Sequence, residues 1–214
     1  MTEENTGTYE EAPQIPELFY ELGAKMKKYS LWMWIILGTG LVCGFFILVA
    51  GIVWGIVQDD IAMIVFFSVL GLFGLIFSCI GIISLVMYWQ YLGSVKNIRD
   101  ATADPIFEKV YQYLLIGFIL QFCGLAIVTF ILNILVFMEL EKWALKMEQL
   151  LPTPEMKNIS EGYKWMKIAT AVSICCGLAI IAMPVAYSKV GKAYMAEYNS
   201  SKFGGFGVTQ QYPL

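Results

Sequence analysis

Residues 138–167 read MELEKWALKMEQLLPTPEMKNISEGYKWMK and lie between two long uncharged segments. The stretch carries ten charges, five Glu and five Lys, far more than an ordinary membrane loop requires. Its apolar residues follow helical spacing. Val136, Leu140, Trp143, Met147 and Leu150 fall four, three, four and three apart, and Met156, Ile159, Tyr163, Met166 and Thr170 fall three, four, three and four apart. These are heptad-type seams on two helices. Between them, Leu151-Pro152-Thr153-Pro154-Glu155 stops one helix and starts the next. Thr153 is the expected N-cap, Pro154 the first helical residue and Glu155 the acid matched to the positive dipole end. The spacing predicts an antiparallel hairpin projecting about 20 Å beyond the membrane. It has two readings, a stabilised connection or a handle that docks onto a partner. Asn158-Ile159-Ser160 matches a glycosylation triplet, but a position within a helix argues against its use.

Outward from this stretch, the runs 29–57, 61–92, 110–137 and 168–187 contain no Lys, Arg, Asp or Glu. Of 214 residues 58% are hydrophobic and 14% charged, well away from the balance of a soluble domain. Each run is long enough to cross a hydrocarbon core of about 30 Å as a helix. The expected fold is therefore all-α: an integral membrane bundle of four transmembrane helices, with helices 3 and 4 extended into the extramembrane hairpin 138–167. Residues 29–198 form that domain. Residues 1–28 precede it as a polar tail plus an interfacial amphipathic helix, and residues 199–214 follow as a flexible tail. Within the first tail, QIPELFYELGAKMKKY places Ile15, Leu18, Phe19, Leu22 and Met26 at helical spacing. Such a stripe suits either the headgroup region of a membrane or a partner subunit.

The short connection Gln58-Asp59-Asp60 makes helices 1 and 2 a tight hairpin, with Asp60 placed to cap helix 2. Asp104-Pro105 reads as an N-cap followed by proline at the first helical position. Pro184 reads as a kink in helix 4. The tails and the second connection hold nine basic residues, Lys25, Lys27, Lys28, Lys96, Arg99, Lys109, Lys189, Lys192 and Lys202. The positive-inside rule then places both termini in the cytoplasm, although the five lysines of 138–167 fall on the other side.

Small residues mark helix contacts in lipid. Gly40, Gly44, Gly51 and Gly55 share one face of helix 1, and Gly71, Gly74, Ser78 and Gly81 one face of helix 2; Ala169, Ser173 and Gly177 do the same on helix 4. Packing of the protein's own bundle is the first use of these stripes, and a homodimer seam the second.

The chain has no histidine, which excludes His-ligated metals and haem and any Ser-His or Cys-His dyad. Cys43, Cys79, Cys123, Cys175 and Cys176 all fall inside the runs and read as small hydrophobes. Two aspartates without further ligands make no ion site. No ionisable group lies at membrane depth, and Gln121 and Asn133 read as hydrogen-bonding glue between helices or, alternatively, as the lining of a solute path. The residues assign no catalytic, cofactor-binding or metal site, and no enzyme activity. A net charge of −3 without a basic block gives no sign of a nucleic-acid partner.

The Gly-rich first hairpin, the exit MYWQYLGSVKN from helix 2 and the closing KIATAVSICCGLAIIAMPVAYSKVGKAY resemble small four-span membrane proteins of archaea and bacteria of unknown function. That resemblance implies a prokaryotic cytoplasmic membrane and no activity. The expected function is a non-catalytic membrane subunit or scaffold that packs against a larger membrane complex and its lipids. The alternative is a small oligomeric transporter or channel for a neutral or apolar solute.

Overall fold

The computed structural model describes residues 15–57, 59–122, 125–176 and 181–203, with the backbone alone described at 122, 126, 173–176 and 201–203. Among these residues the chain is all helical, in six helices: α1 (Ile15–Val57), α2 (Asp60–Thr102), α3 (Pro105–Phe122), α4 (Ala126–Leu150), α5 (Pro154–Cys176) and α6 (Ala182–Phe203). Each helix packs against the next in chain order, and α6 closes the ring on α1. All six pairs are antiparallel. Trp32 donates to Ser84 across α1 and α2 (2.9 Å), and Arg99 pairs with Glu108 across α2 and α3 (3.4 Å). Thr129 donates to the Gly117 carbonyl across α3 and α4, and Ser160 to Glu148 across α4 and α5. Lys189 meets Glu161 across α5 and α6, and Ser30 donates to the Pro184 carbonyl (2.5 Å) to close the ring.

Six helices replace the four expected spans. The run 110–137 is not one helix: α3 ends at Phe122, α4 begins at Ala126, and the chain has turned back between them. The run 168–187 likewise divides between α5 and α6. An uncharged run of this length serves equally as one full span or as two half-length helices. Here the charges at its two ends decide, because folding back keeps Lys109 and Glu139, or Lys167 and Lys189, at one end of the ring. Pro184 does not kink a helix. It lies in the first turn of α6, where its missing N–H has no intrahelical partner to lose.

Cap chemistry agrees with the sequence at two turns. The Asp104 carboxylate accepts from the Ile106 N–H (2.8 Å) with Pro105 opening α3, and the Thr153 hydroxyl accepts from the Met156 N–H (3.2 Å) with Pro154 opening α5. At the first connection Asp59, rather than Asp60, is the N-cap, and its side chain makes no capping bond; Asp60 is the first-turn acid.

The core lies at the charged end. Phe19 stands at its centre, stacked on Trp143 (5.1 Å) and Tyr194 (5.7 Å), with Phe107 edge-on at 5.9 Å. Residues 15–28 are therefore not a separate interfacial helix. They continue α1 without a break, and their apolar stripe of Leu18, Phe19, Leu22 and Met26 is buried in protein. Nor does 138–167 project as a free hairpin. Leu140, Trp143, Met147, Met156, Ile159, Tyr163 and Met166 all enter the same core, so the two arms form walls of the ring. Burying these stripes against four further helices removes more apolar surface from water than a two-helix seam could. Several of the stretch's charges also pair within the protein, Lys167 with Glu141 across α5 and α4 and Lys142 with Glu139 along the outer face of α4. At the centre of this end, α1 and α6 meet backbone to backbone. A Cβ on Gly191 would lie 2.6 Å from the Gly23 carbonyl oxygen, and one on Gly23 2.7 Å from the Tyr194 Cβ.

Beyond this base α1 and α2 continue as a pair, 43 residues each against 18 to 25 for the others. Their shared seam is a heptad series of more buried positions, Ile36, Gly40, Cys43, Ile47 and Ala50 against Phe66, Val69, Phe73, Ile76 and Ile80. The glycine stripes are not what holds the pair. No atom lies within 4 Å of where a Cβ would stand at Gly40, Gly44, Gly55, Gly71, Gly74 or Gly81, and Gly51 meets the Phe66 ring only at 3.6 Å. Aromatic contacts such as Trp54 on Phe66 (5.3 Å) keep the backbones apart. Residues 1–14, 58, 123–124, 177–180 and 204–214, the thiols of Cys123, Cys175 and Cys176, and the Ser173 side chain and Gly177 of the expected helix-4 stripe lie outside the described residues; 199–203 belong to α6.

Candidate functional site

Four tyrosines sit where an uncharged run meets its first charges. Tyr29 follows Lys28, Tyr88 and Tyr91 precede Lys96, and Tyr187 precedes Lys189. In sequence they read as the interfacial aromatics that commonly flank membrane spans. Ring closure brings them together around a cavity of about 260 Å³. Tyr29 meets Tyr187 edge-on at 5.3 Å, and Phe137 meets Tyr187 at 6.1 Å. Tyr88 stacks on Phe118 (5.6 Å) and donates to the Leu114 carbonyl (3.0 Å), which fixes that wall. Met33 from α1 and Met183 from α6 complete the apolar lining.

The polar residues of the runs divide into those at the cavity and those elsewhere. Gln121, Thr129 and Asn133 line it. Thr129 is engaged with the Gly117 and Leu125 carbonyls, whereas the Gln121 and Asn133 amides make no hydrogen bond to another described residue. Gln112 lies apart, bonded to Glu108. Ser84 accepts from Trp32, and Ser78 bonds back to the Gly74 carbonyl within its own helix.

Tyr91 is the residue that spacing alone does not reveal. It is 7% exposed and lines the cavity, and its hydroxyl has no hydrogen-bond partner. An orphaned hydroxyl of this kind is rare in a native interior. No charged residue touches the cavity, so a formally charged guest would stay unpaired there. The arrangement can hold an uncharged molecule by contact and hydrogen bonding. It offers no nucleophile with an adjacent base.

The charged end is held by a different chemistry. Tyr163 and Tyr194 bring their hydroxyls within 3.0 Å, and burial pushes both phenols well above the ordinary range, so both stay neutral. At the rim, the bond from Lys189 holds the Glu161 carboxyl below its usual range, and the bond to Asp100 raises the Arg99 guanidinium. Among the described residues no three His, Cys, Asp or Glu side chains gather. Comparison with protein-family models, with curated proteins and with solved structures found no match to the chain.

Proposed function

We propose that the protein is a non-catalytic membrane subunit whose α1–α2 hairpin crosses the cytoplasmic membrane and receives helices of a larger complex on its outer glycine faces. Both helices are long and apolar enough to cross a membrane, and only 6% and 0% of their most apolar windows are buried. A soluble core helix would be mostly buried instead. The base stands on the cytoplasmic face with both termini. Every Lys and Arg from Lys25 to Lys192 belongs to that end of the ring, while Asp59 and Asp60 occupy the opposite tip. The nine-to-five conflict in basic residues therefore disappears, and the positive-inside rule points one way. The shorter helices bring exposed Ile119, Ile127, Ile181 and Val185 alongside the hairpin's root, which suits half-depth entry into the near leaflet.

The observation that carries this reading is the set of open glycines on α1 and α2. Association in lipid depends on close backbone approach at small residues, and at Gly44, Gly55, Gly71, Gly74 and Gly81 no atom of another described element lies within 4 Å of where a Cβ would stand. The test is extraction from the native membrane in mild detergent, followed by sizing and mass spectrometry. The wild type should migrate with other membrane proteins, and a Gly71→Leu/Gly74→Leu variant should lose them while remaining folded. Migration of the wild type as a monomer would overturn the reading, and a lone homo-oligomer would favour the small transporter or channel. Orientation has its own check. A cysteine at Gln149 should resist labelling from outside and one at Asp60 should accept it; labelling of both from one side would remove the hairpin from the bilayer.

A further inference from the structure

We infer that the protein favours membrane whose cytoplasmic leaflet is convex, because six helices enter that leaflet and only two cross the other. The inference rests on the membrane reading above and adds to it the shape of lipid surface that the protein fits. Its starting point is the distance each helix runs beyond its last charge. At a rise of about 1.5 Å per residue, α1 continues about 44 Å from Lys28 to Val57 and α2 about 54 Å from Lys96 back to Asp60, each more than the roughly 30 Å of a hydrocarbon core. The other four are far shorter. From Lys109 to Phe122 in α3, and from Glu139 back to Ala126 in α4, the reach is about 20 Å. It is about 14 Å from Lys167 to Cys176 in α5 and about 10 Å from Lys189 back to Ala182 in α6.

Contacts fix where the short helices stand. Ser30 donates to the Pro184 carbonyl, and Phe118 packs on Tyr88 and Trp89 at 5.6 Å each. The ends of α3 and α6 therefore flank the root of the hairpin and leave its length uncovered. Side chains turned outward at that level are apolar, with Ile127 70% exposed and Ile181 50%. On α5 the exposed Trp165 lies between Lys164 and Lys167, a grouping that suits the headgroup level. The short helices thus pass the headgroups and end near the midplane, about 15 Å into the hydrocarbon at most. Insertion confined to one leaflet is sensitive to curvature. Each helix is about 10 Å across, so the four add on the order of 300 Å² to the near leaflet and nothing to the far one. A bend that spreads the cytoplasmic leaflet makes room for that area, and the opposite bend crowds it.

The experiment pulls narrow membrane tubes from giant phosphatidylcholine vesicles that carry the full-length protein. Two variants, Gln149→Cys in the base and Asp60→Cys at the hairpin tip, are labelled from outside with a membrane-impermeant dye, and the unaltered chain serves as the labelling control. Each variant then reports one orientation. The outer leaflet of a tube is convex. Molecules labelled at Gln149→Cys, base outward, should be enriched in the narrowest tubes about twofold over the flat membrane, a preference below RT per molecule. Molecules labelled at Asp60→Cys, base inward, should be depleted to a similar degree. Adding Ile127→Lys/Ile181→Lys, both at exposed positions outside the core, should bring the Gln149→Cys ratio back toward one. The same tube-to-flat ratio for both orientations would overturn the proposal, and so would undiminished sorting of the lysine variant. The labelled fractions test the span itself. They should add up to the whole population when the hairpin crosses the bilayer, and each should reach completion when it does not, so a failed span is told apart from a failed wedge.

Discussion

Glycine does opposite things in the two halves of this molecule. In the base, Gly23 and Gly191 let α1 and α6 touch backbone to backbone, and a methyl at either position would collide with atoms under 3 Å away. In the projecting hairpin, Gly44, Gly55, Gly71 and Gly74 face empty space. Sequence spacing favours the second set, because two GxxxG steps are visible there. The pair that holds the fold has no such signature, since its members lie in the first and last helices. A glycine's role is set by what stands opposite it, and that is a tertiary fact.

The largest test of this contrast is Gly191→Ala. The new Cβ meets a carbonyl oxygen that cannot move without shifting α1, so stability should fall by about 3 kcal/mol, at the upper end for overpacking. Denaturation in mild detergent measures it. A loss below about 0.5 kcal/mol would mean that α1 and α6 are not in close contact. A smaller effect is expected at the turn between the two charged arms. Thr153→Ala removes the α5 cap and the bond from Thr153 to Glu197 (2.8 Å), which should lower stability by about 1 kcal/mol. Thr153→Ser should restore most of it, and failure of that rescue would assign the loss to the methyl group. The smallest effect belongs to the hairpin. Gly44→Leu should leave the unfolding of the isolated chain unchanged, because no described atom beyond its own stretch of helix lies within 4 Å of where a Cβ would stand. A clear drop there would show that the outer face packs within the chain after all.

What the sequence makes legible here is local. The caps at Asp104 and Thr153 are readable because an N-cap needs only the residues that follow it, and both occur in the structure. The amphipathic stripe at 15–28 is equally plain, but its covering is not. Ile15 to Met26 would suit lipid, and the partner turns out to be a core assembled from all six helices. The uncharged runs 110–137 and 168–187 mislead for the same reason, since hydropathy counts apolar length and does not register a reversal within it. Of the cavity, Gln121 and Asn133 stand out as polar residues in apolar surroundings. Tyr29, Tyr88, Tyr91 and Tyr187 look like separate interfacial aromatics until the ring closes and makes them neighbours.

That closure also orders events during synthesis. Phe19 leaves the ribosome with α1, yet its stacking partner Tyr194 belongs to α6, made after the four helices between them. Until α6 arrives, the apolar stripe of α1 has no complete core to enter, while the α1–α2 hairpin already has every residue it needs to pair. The α1–α2 hairpin can therefore pair before the base is a folded object, while the apolar stripe of α1 stays incompletely covered until α6 follows. A chain stalled or truncated before α6 is left with a paired hairpin and an unfinished base whose aromatic core stands open on the side that α6 would close.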